Sequence, residues 1–321
     1  MISEMKDGNE DRQLAYKPLC LIAAADDDGR RLDRILRKTL GKLPLSAIHR
    51  LLREGAVLVD GKAATAAYRI HEGQIINVYT LDSAGFEKTT AQTPSLKTRI
   101  NQNFPDILYE GEGLLVINKP AGFPVHAGKG NINRPSLETL VRSYLSEKIP
   151  SSLSFKPGPL HRLDMPSSGV LVFSASLNGA RLFSTLMRER KIRKFYLSLI
   201  EGKIENTEVW QDELKHDSAS KNALTKVSPI INNQECTLIL AEIVTGRKHQ
   251  IRIQAASRGY PLQGDRKYGA KNTEKPFFLH AWRLELPPPF PSLIEAPLPD
   301  NFKITINKLF GDKAIHILSK T

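Results

Sequence analysis

The sequence predicts an α+β protein built of a small N-terminal unit and a larger C-terminal one. Three observations carry that expectation. Short apolar runs rich in branched residues, such as Leu114–Ile117 and Val170–Phe173, read as strands, and the runs between 204 and 245 are separated only by polar turns such as Asn232-Asn233, which predicts antiparallel pairing. Apolar stripes at helical spacing recur at Leu32–Leu40, Leu137–Leu145 and Leu182–Leu186. Residues 83–105 carry Ser, Thr, Gln, Lys and Pro with little apolar periodicity and read as a linker.

Composition narrows the class. The chain has 321 residues, enough for two or three domains, and with 40% apolar residues it can bury a sizeable core. Its net charge of +12 favours a polyanionic partner. The two cysteines, Cys20 and Cys236, lie too far apart in sequence to suggest a disulfide framework, and no Cys-based metal spacing exists. The first residues are polar and lack the apolar core of a signal peptide. No apolar run approaches the ~18 residues that span a bilayer. A cytoplasmic protein without membrane contact is expected, and a monomer, since nothing suggests an exposed apolar interface.

In order, residues 1–18 read as a flexible N-terminus and 19–82 as the small unit. Leu19–Ala25 reads as a strand, and Asp26-Asp27-Asp28-Gly29 as a turn. Leu32, Ile35, Leu36 and Leu40 define a first helix ended by Gly41. Ser46 is the expected N-cap of a second helix carrying Ile48, Leu51 and Leu52. Ala56–Lys62 reads as a strand entering a hairpin turn at Asp60-Gly61, and Ile75–Tyr79 closes the unit. Between Arg30 and Val78, ten Lys/Arg stand against four Asp/Glu, so the helix pair displays a basic face suited to phosphates, or simply to solvent.

The larger domain, 106–321, begins with strands at Ile107–Glu110 and Leu114–Asn118. The loop from Gly122 to Gly130 is rich in glycine but is no Walker phosphate loop, because no Ser or Thr follows Lys129. Ser136 caps a helix to Lys148, and Leu177–Glu189 forms another. A basic entry at Arg190–Lys194 leads into a strand ending near Gly202. A helix is expected to begin at Thr245, with Arg247 and His249 in its first turn. Cations there are unusual, because a helix N-terminus favours anions, and they point to a site or an arriving phosphate. Leu279–Leu284 reads as a strand, and Asp300–Phe310 as a last helical or extended segment.

The densest polar cluster is His161-Arg162-Leu163-Asp164, followed by a turn at Met165–Gly169 and the strand Val170–Phe173. It sits on a loop delivered to a sheet edge, where working groups are commonly placed. On residue type alone an Asp in a loop is structural more often than catalytic, here a helix or turn cap with Arg162 as its surface partner.

These residues resemble the His-Arg-Leu-Asp-x-x-Thr-Ser-Gly signature of the RluA-type pseudouridine synthases, with Ser167 in place of the threonine and Ser168 and Gly169 completing it. Further stretches resemble the same family: Asn118-Lys119-Pro120 with Gly122 and His126, Lys194-x-Tyr196, Gly246-Arg247-x-His249-Gln250-Ile251-Arg252, Gly264-Asp265-x-x-Tyr268-Gly269 and Leu279-His280-Ala281. The resemblance covers roughly residues 110–300. The small unit resembles the S4 RNA-binding domain around Arg31–Leu36 and Leu51–Gly61, and such units commonly precede this catalytic domain.

The resemblance implies an RNA-modifying isomerase whose catalytic domain has a mixed, largely antiparallel central sheet with flanking helices. It breaks the N1–C1′ bond of a uridine, turns the base and rejoins it through C5, with no cofactor and no metal. It casts Asp164 as the catalytic carboxylate, Tyr196 as the ring against the base and Arg247 as the partner of Asp164. Arg162 assists base flipping, and His161, Lys194, Arg31, Arg34 and Arg53 join it at the RNA, His161 chiefly by shaping the loop. The S4-like unit and the loop Val125–Gly130 lean toward the branch acting on large-subunit ribosomal RNA (RluC/RluD-like), with transfer RNA the other target. A catalytically silent RNA-binding protein would lack Asp164, Tyr196 or Arg247. A His-dependent nuclease would need convergent histidines or a metal cluster, and the spacing of His161 and His249 offers neither clearly.

Overall fold

The computed structural model describes residues 18–79, 104–127, 135–216, 219–271 and 277–320. The flexible N-terminus, nearly all of the linker and Gly128–Gly130 of the glycine-rich loop lie outside the described residues. The chain divides into two compact units, Met1–Gln102 with Leu145–Lys156, and Asn103–Tyr144 with Pro157–Thr321.

In the first unit, β1 (Leu19–Ile22), β2 (Val57–Val59), β3 (Lys62–Ala63) and β4 (Ile75–Val78) form a sheet in the order β1-β4-β2-β3. The β2–β3 turn holds Asp60 and Gly61 at φ 48° and 78°, both left-handed, as a two-residue type I′ hairpin requires. Helices α1 (Leu32–Thr39) and α2 (Leu45–Arg53) cover the sheet. Leu32, Ile35, Leu36, Leu40, Ile48 and Leu52 bury their stripe against Val57, Val59, Ile76 and Val78. The expected Ser46 cap is not used: α2 starts two residues earlier than that cap implies, with Pro44 at the cap. Proline suits that place because it has no N–H to leave unsatisfied. Within this unit the buried Asp27 carboxylate accepts from Leu153 N, Ser154 N and the hydroxyls of Ser152 and Ser154 at 2.5–3.1 Å. A contiguous boundary drawn along the chain omits this contribution of 145–156.

The second unit holds a nine-stranded sheet in the order β5-β6-β7-β12-β8-β11-β10-β9, with β13 pairing β12. Its strands are β5 (Ile107–Gly111), β6 (Leu114–Lys119), β7 (Ser168–Ser174), β8 (Arg193–Glu201), β9 (Glu208–His216), β10 (Ala219–Asn232), β11 (Cys236–Ile243), β12 (Leu279–Glu285) and β13 (Leu293–Glu295). Only β7–β12 is parallel; the other pairings are antiparallel. The region 204–245 is therefore antiparallel as expected, but its strands are long, β10 reaching fourteen residues. Every residue of β7 is buried. This is why it reads as a continuous apolar run and not an alternating one.

Helix α3 (Leu137–Lys148) starts as expected, with Ser136 Oγ accepting from Thr139 N at 3.2 Å. Helix α4 (Leu177–Arg188) is capped by Ser176 and packs Phe183 and Leu186 on Val170 and Val172. The last segment is helical: α6 (Asp300–Phe310) and α7 (Asp312–Lys320), the second not legible beforehand, bury Phe302, Ile306, Ala314 and Leu318 against Leu197, Leu199, Leu238 and Trp282. Helix α5 (Gln250–Ser257) lies between β11 and β12 in sequence and starts five residues later than expected.

Candidate active site

The Asp164 loop is built against β7 before it turns over the end of the sheet. Leu160 N donates to Val172 O at 2.8 Å, and Val172 N donates to His161 Nε2 at 3.1 Å. His161 thus accepts on Nε2, and burial pushes its pKa down to about 4. A neutral ring is thereby fixed to the strand at the root of the loop. Ser167 N then donates to Asp164 O at 3.1 Å, closing the turn that carries Asp164.

Behind this turn sits Lys119, part of the Asn118-Lys119-Pro120 stretch, to which the sequence assigned no role of its own. Its side chain is fully buried at the end of β6, and Nζ donates to the carbonyls of Pro120, Met165 and Ser167 at 2.9, 3.0 and 2.7 Å. Burial pushes its pKa down to about 8, against the pull of Asp164. Three carbonyls give a buried ammonium its full set of acceptors, so Lys119 pins the backbone on both sides of Pro166.

Gly169 explains the glycine of the signature. It has φ +107° and lies opposite Ala281 in the parallel pair. A Cβ there would stand 2.7 Å from the Ala281 carbonyl carbon and 2.8 Å from its nitrogen. Neighbouring Ser168 Oγ meets His280 Nδ1 at 2.8 Å, while His280 Nε2 donates to Ala296 O at 3.1 Å. Burial holds His280 at a pKa of about 4, against the pull of the Ala296 carbonyl and Glu295.

The partner of Asp164 is Arg252. Its Nη1 donates to Asp164 Oδ2 at 2.9 Å, while Nε and Nη2 fork onto Asp265 at 2.7 and 2.8 Å. Burial opposes the charge on Arg252, but the two carboxylates outweigh it and raise its pKa. The guanidinium also packs on the rings of Tyr268 and Phe277, 4.9 and 5.0 Å from their centroids. The expected Arg247–Asp164 pair is not formed. Arg247 is exposed and its Nε donates to Asn222 O at 3.1 Å.

The reason lies in where α5 begins. His249 is left-handed at φ 55°, so the helix cannot extend back to Thr245. The Gln250 side chain accepts from Arg247 N and Thr245 Oγ1 at 2.9 and 2.8 Å and donates to Leu224 O and Thr225 Oγ1 at 3.1 and 2.9 Å. One turn on, the buried Gln254 accepts from Thr225 Oγ1 at 2.6 Å and donates to Trp210 O and Asp212 Oδ2 at 3.0 and 2.7 Å. These satisfied amides lock α5 to β9 and β10 in the register that turns Arg252 toward Asp164.

Asp164, Tyr196, Arg247, Arg162, His161 and Lys194 line one cleft, whose cavity measures about 280 Å³. Tyr196, 8% exposed, has its pKa raised by burial and then by Asp164. Burial lowers that of Lys194. Arg162 is exposed and makes no ion pair among the described residues. Arg31, Arg34 and Arg53 belong to the first unit. Arg34 and Arg53 are exposed, whereas Arg31 is forked onto Asp33 at 3.2 and 2.7 Å.

A carboxylate paired with a buried arginine thus shares one cleft with a buried tyrosine. Comparison with known proteins gives the family. A model described as RNA pseudouridylate synthase matches residues 113–257, and one described as S4 domain matches residues 30–76. The chain belongs to the RNA pseudouridylate synthase family and is an RNA-binding isomerase. It is 31% identical over 317 residues to ribosomal large subunit pseudouridine synthase C of Escherichia coli (strain K12), covering 89% of this chain and 94% of that one. The protein of the same name from Pasteurella multocida (strain Pm70) is 31% identical over 324 residues, 92% of this chain and 94% of that one. The solved structure of human RNA pseudouridylate synthase domain containing 4 shares the fold, with a TM-score of 0.55 at 21% identity over 67% of this chain and 95% of that one.

Proposed function

We propose that the enzyme isomerises uridines in large-subunit ribosomal RNA in the cytoplasm, with Asp164 as its catalytic carboxylate. The observation that carries the reading is the placement of Asp164 beside Tyr196 in one cleft, with its charge compensated by Arg252. The names of the relatives support the ribosomal target.

In the reaction the N1–C1′ bond breaks, the detached uracil turns, and C5 bonds to C1′. The C5 proton leaves and N1 is protonated, so nothing is oxidised and no group is lost. Asp164 serves with one carboxylate oxygen, as a nucleophile or as the base for a sugar proton. Arg252 compensates its charge in a cleft where the Asp164 side chain is largely buried. Burial and the nearby carboxylate keep the Tyr196 hydroxyl protonated, which supports a role packing on the turning base over one as a phenolate. The target base must leave its stack at a cost of a few kcal/mol. Arg162, exposed at the cleft and without an ion pair among the described residues, suits the vacated space, since a guanidinium stacks on neighbouring bases. The charges of Lys194 and Arg247 at the cleft, and of the exposed Arg34 and Arg53 in the S4 unit, support contact with RNA phosphates.

The test is release of tritium from C5-labelled RNA drawn from a strain lacking the protein. Release from the ribosomal pool, with none from the transfer RNA pool, is expected. Release from transfer RNA alone would overturn the ribosomal assignment, and release from neither would overturn the activity.

A further inference from the structure

Asp164 has two unlike oxygens. Oδ2 is held by Arg252, which is itself immobilised by its fork onto Asp265. Oδ1 faces His249 Nε2 at 3.5 Å, and the other ring nitrogen, Nδ1, lies 2.7 Å from the Tyr268 hydroxyl. For a neutral ring two proton arrangements are possible. If Nδ1 carried the proton and donated to Tyr268, the Nε2 lone pair would face the carboxylate, which is repulsive. If Tyr268 donates to Nδ1, Nε2 carries the N–H, on the side of the ring 3.5 Å from Oδ1. Electrostatics selects the second.

Two further observations indicate a built arrangement. His249 is one of four non-glycine residues with positive φ among those described. Such a conformation persists only where its surroundings impose it. Tyr268 is held in place, with its ring under the Arg252 guanidinium and edge-on to the imidazole at 5.6 Å and 76°. At 3.5 Å the contact of Nε2 with Oδ1 is electrostatic and not a hydrogen bond, so Oδ1 is not tied up. It orients that oxygen and leaves it able to react.

We propose that His249, fixed in one tautomer by Tyr268, is a positioning residue that orients Asp164 so that Oδ1 is the reacting oxygen. The inference rests on Asp164 being the catalytic carboxylate. It assigns roles to the histidine of the Gly-Arg-x-His-Gln-Ile-Arg stretch and the tyrosine of the Gly-Asp-x-x-Tyr-Gly stretch, which otherwise have none in the mechanism.

The experiment measures kcat and KM for tritium release from C5-labelled ribosomal RNA, using the full chain and the variants His249→Leu, His249→Gln, Tyr268→Phe and Asp164→Asn, each checked for its melting temperature. His249→Leu is expected to lower kcat roughly ten- to hundredfold with KM within about twofold. His249→Gln, whose amide N–H reaches near the place of Nε2, is expected to recover most of that loss. Tyr268→Phe keeps both ring contacts and removes only the hydroxyl, and kcat is expected to fall about three- to tenfold. A raised KM with kcat preserved would make His249 an RNA contact and overturn the proposal. So would a glutamine variant no better than leucine, or wild-type turnover by Tyr268→Phe. Turnover by Asp164→Asn would instead overturn the underlying site assignment, whereas an inactive Asp164→Asn beside fully active His249 and Tyr268 variants would overturn this inference alone.

Discussion

Replacing Arg252 separates its role from that of Arg247, the arginine five residues earlier. In Arg252→Met, Asp265, 1% exposed, loses both charged donors, and Asp164 loses the one arginine that pairs with it among the described residues. Breaking a buried pair by removing one partner costs about 3–5 kcal/mol, because the remaining charge is uncompensated. Arg252→Lys is milder. A lysine has no planar fork and cannot serve both carboxylates at once. Losing the charged hydrogen bond to Asp164 costs about 1.5–3 kcal/mol, which corresponds to a roughly ten- to hundredfold fall in kcat if it is expressed in the transition state. Arg247→Ala removes one exposed hydrogen bond to Asn222 O and should cost under about 1 kcal/mol, raising KM for RNA more than it lowers kcat. Urea midpoints and single-turnover rates of the three variants decide the matter. A hundredfold loss of kcat in Arg247→Ala, with Arg252→Lys close to wild type, would refute the assignment.

Gly169→Ala combines a left-handed φ with overlap on the Ala281 backbone, so β7 and β12 must separate; a loss of roughly 3–5 kcal/mol in chemical denaturation is expected, and a loss below about 1 kcal/mol would contradict the close approach. His280 is buried with a pKa of about 4 against an ordinary 6.5, so its contribution is fully present above pH 6.5 and is lost as pH falls through 4. That contribution is worth roughly 3 kcal/mol, and a stability profile for His280→Asn as steep as wild type across this window would exclude it. Arg162→Ala is expected to slow reaction on structured RNA more than on a short, already unstacked strand; equal losses on both, in parallel tritium-release assays, would argue against a role in holding the vacated stack.

Much of this was legible because it is local. The helix at Leu137–Lys148 follows from its stripe and the Ser136 cap, and the run Val170–Phe173 from a strand buried on both sides. The loop bearing Asp164, with Arg162 and His161, follows from the same stretch. What was misread depends on distant partners. The start of α5 is set by a left-handed His249 and by Gln250 and Gln254 bonding to β9 and β10, some 25–44 residues away. Two arginines five apart lie about 140° apart on a helix, so the choice between them rested on a helix start that local pattern could not supply. Lys119 looked like the polar end of a strand, because the carbonyls that hold it belong to Met165 and Ser167. Asp265 and Tyr268 lay in a recognised stretch, yet their roles appear only once Arg252 and His249 are brought to them.

The most direct test of the account replaces Asp164 with asparagine, which keeps size and shape and removes the charge. Asp164→Asn should melt like wild type or slightly below, bind ribosomal RNA with unchanged affinity, and release no tritium from uridine C5. Turnover at a tenth of the wild-type rate or more, in a preparation free of wild-type enzyme, would remove Asp164 from the chemistry and with it the reading of the cleft.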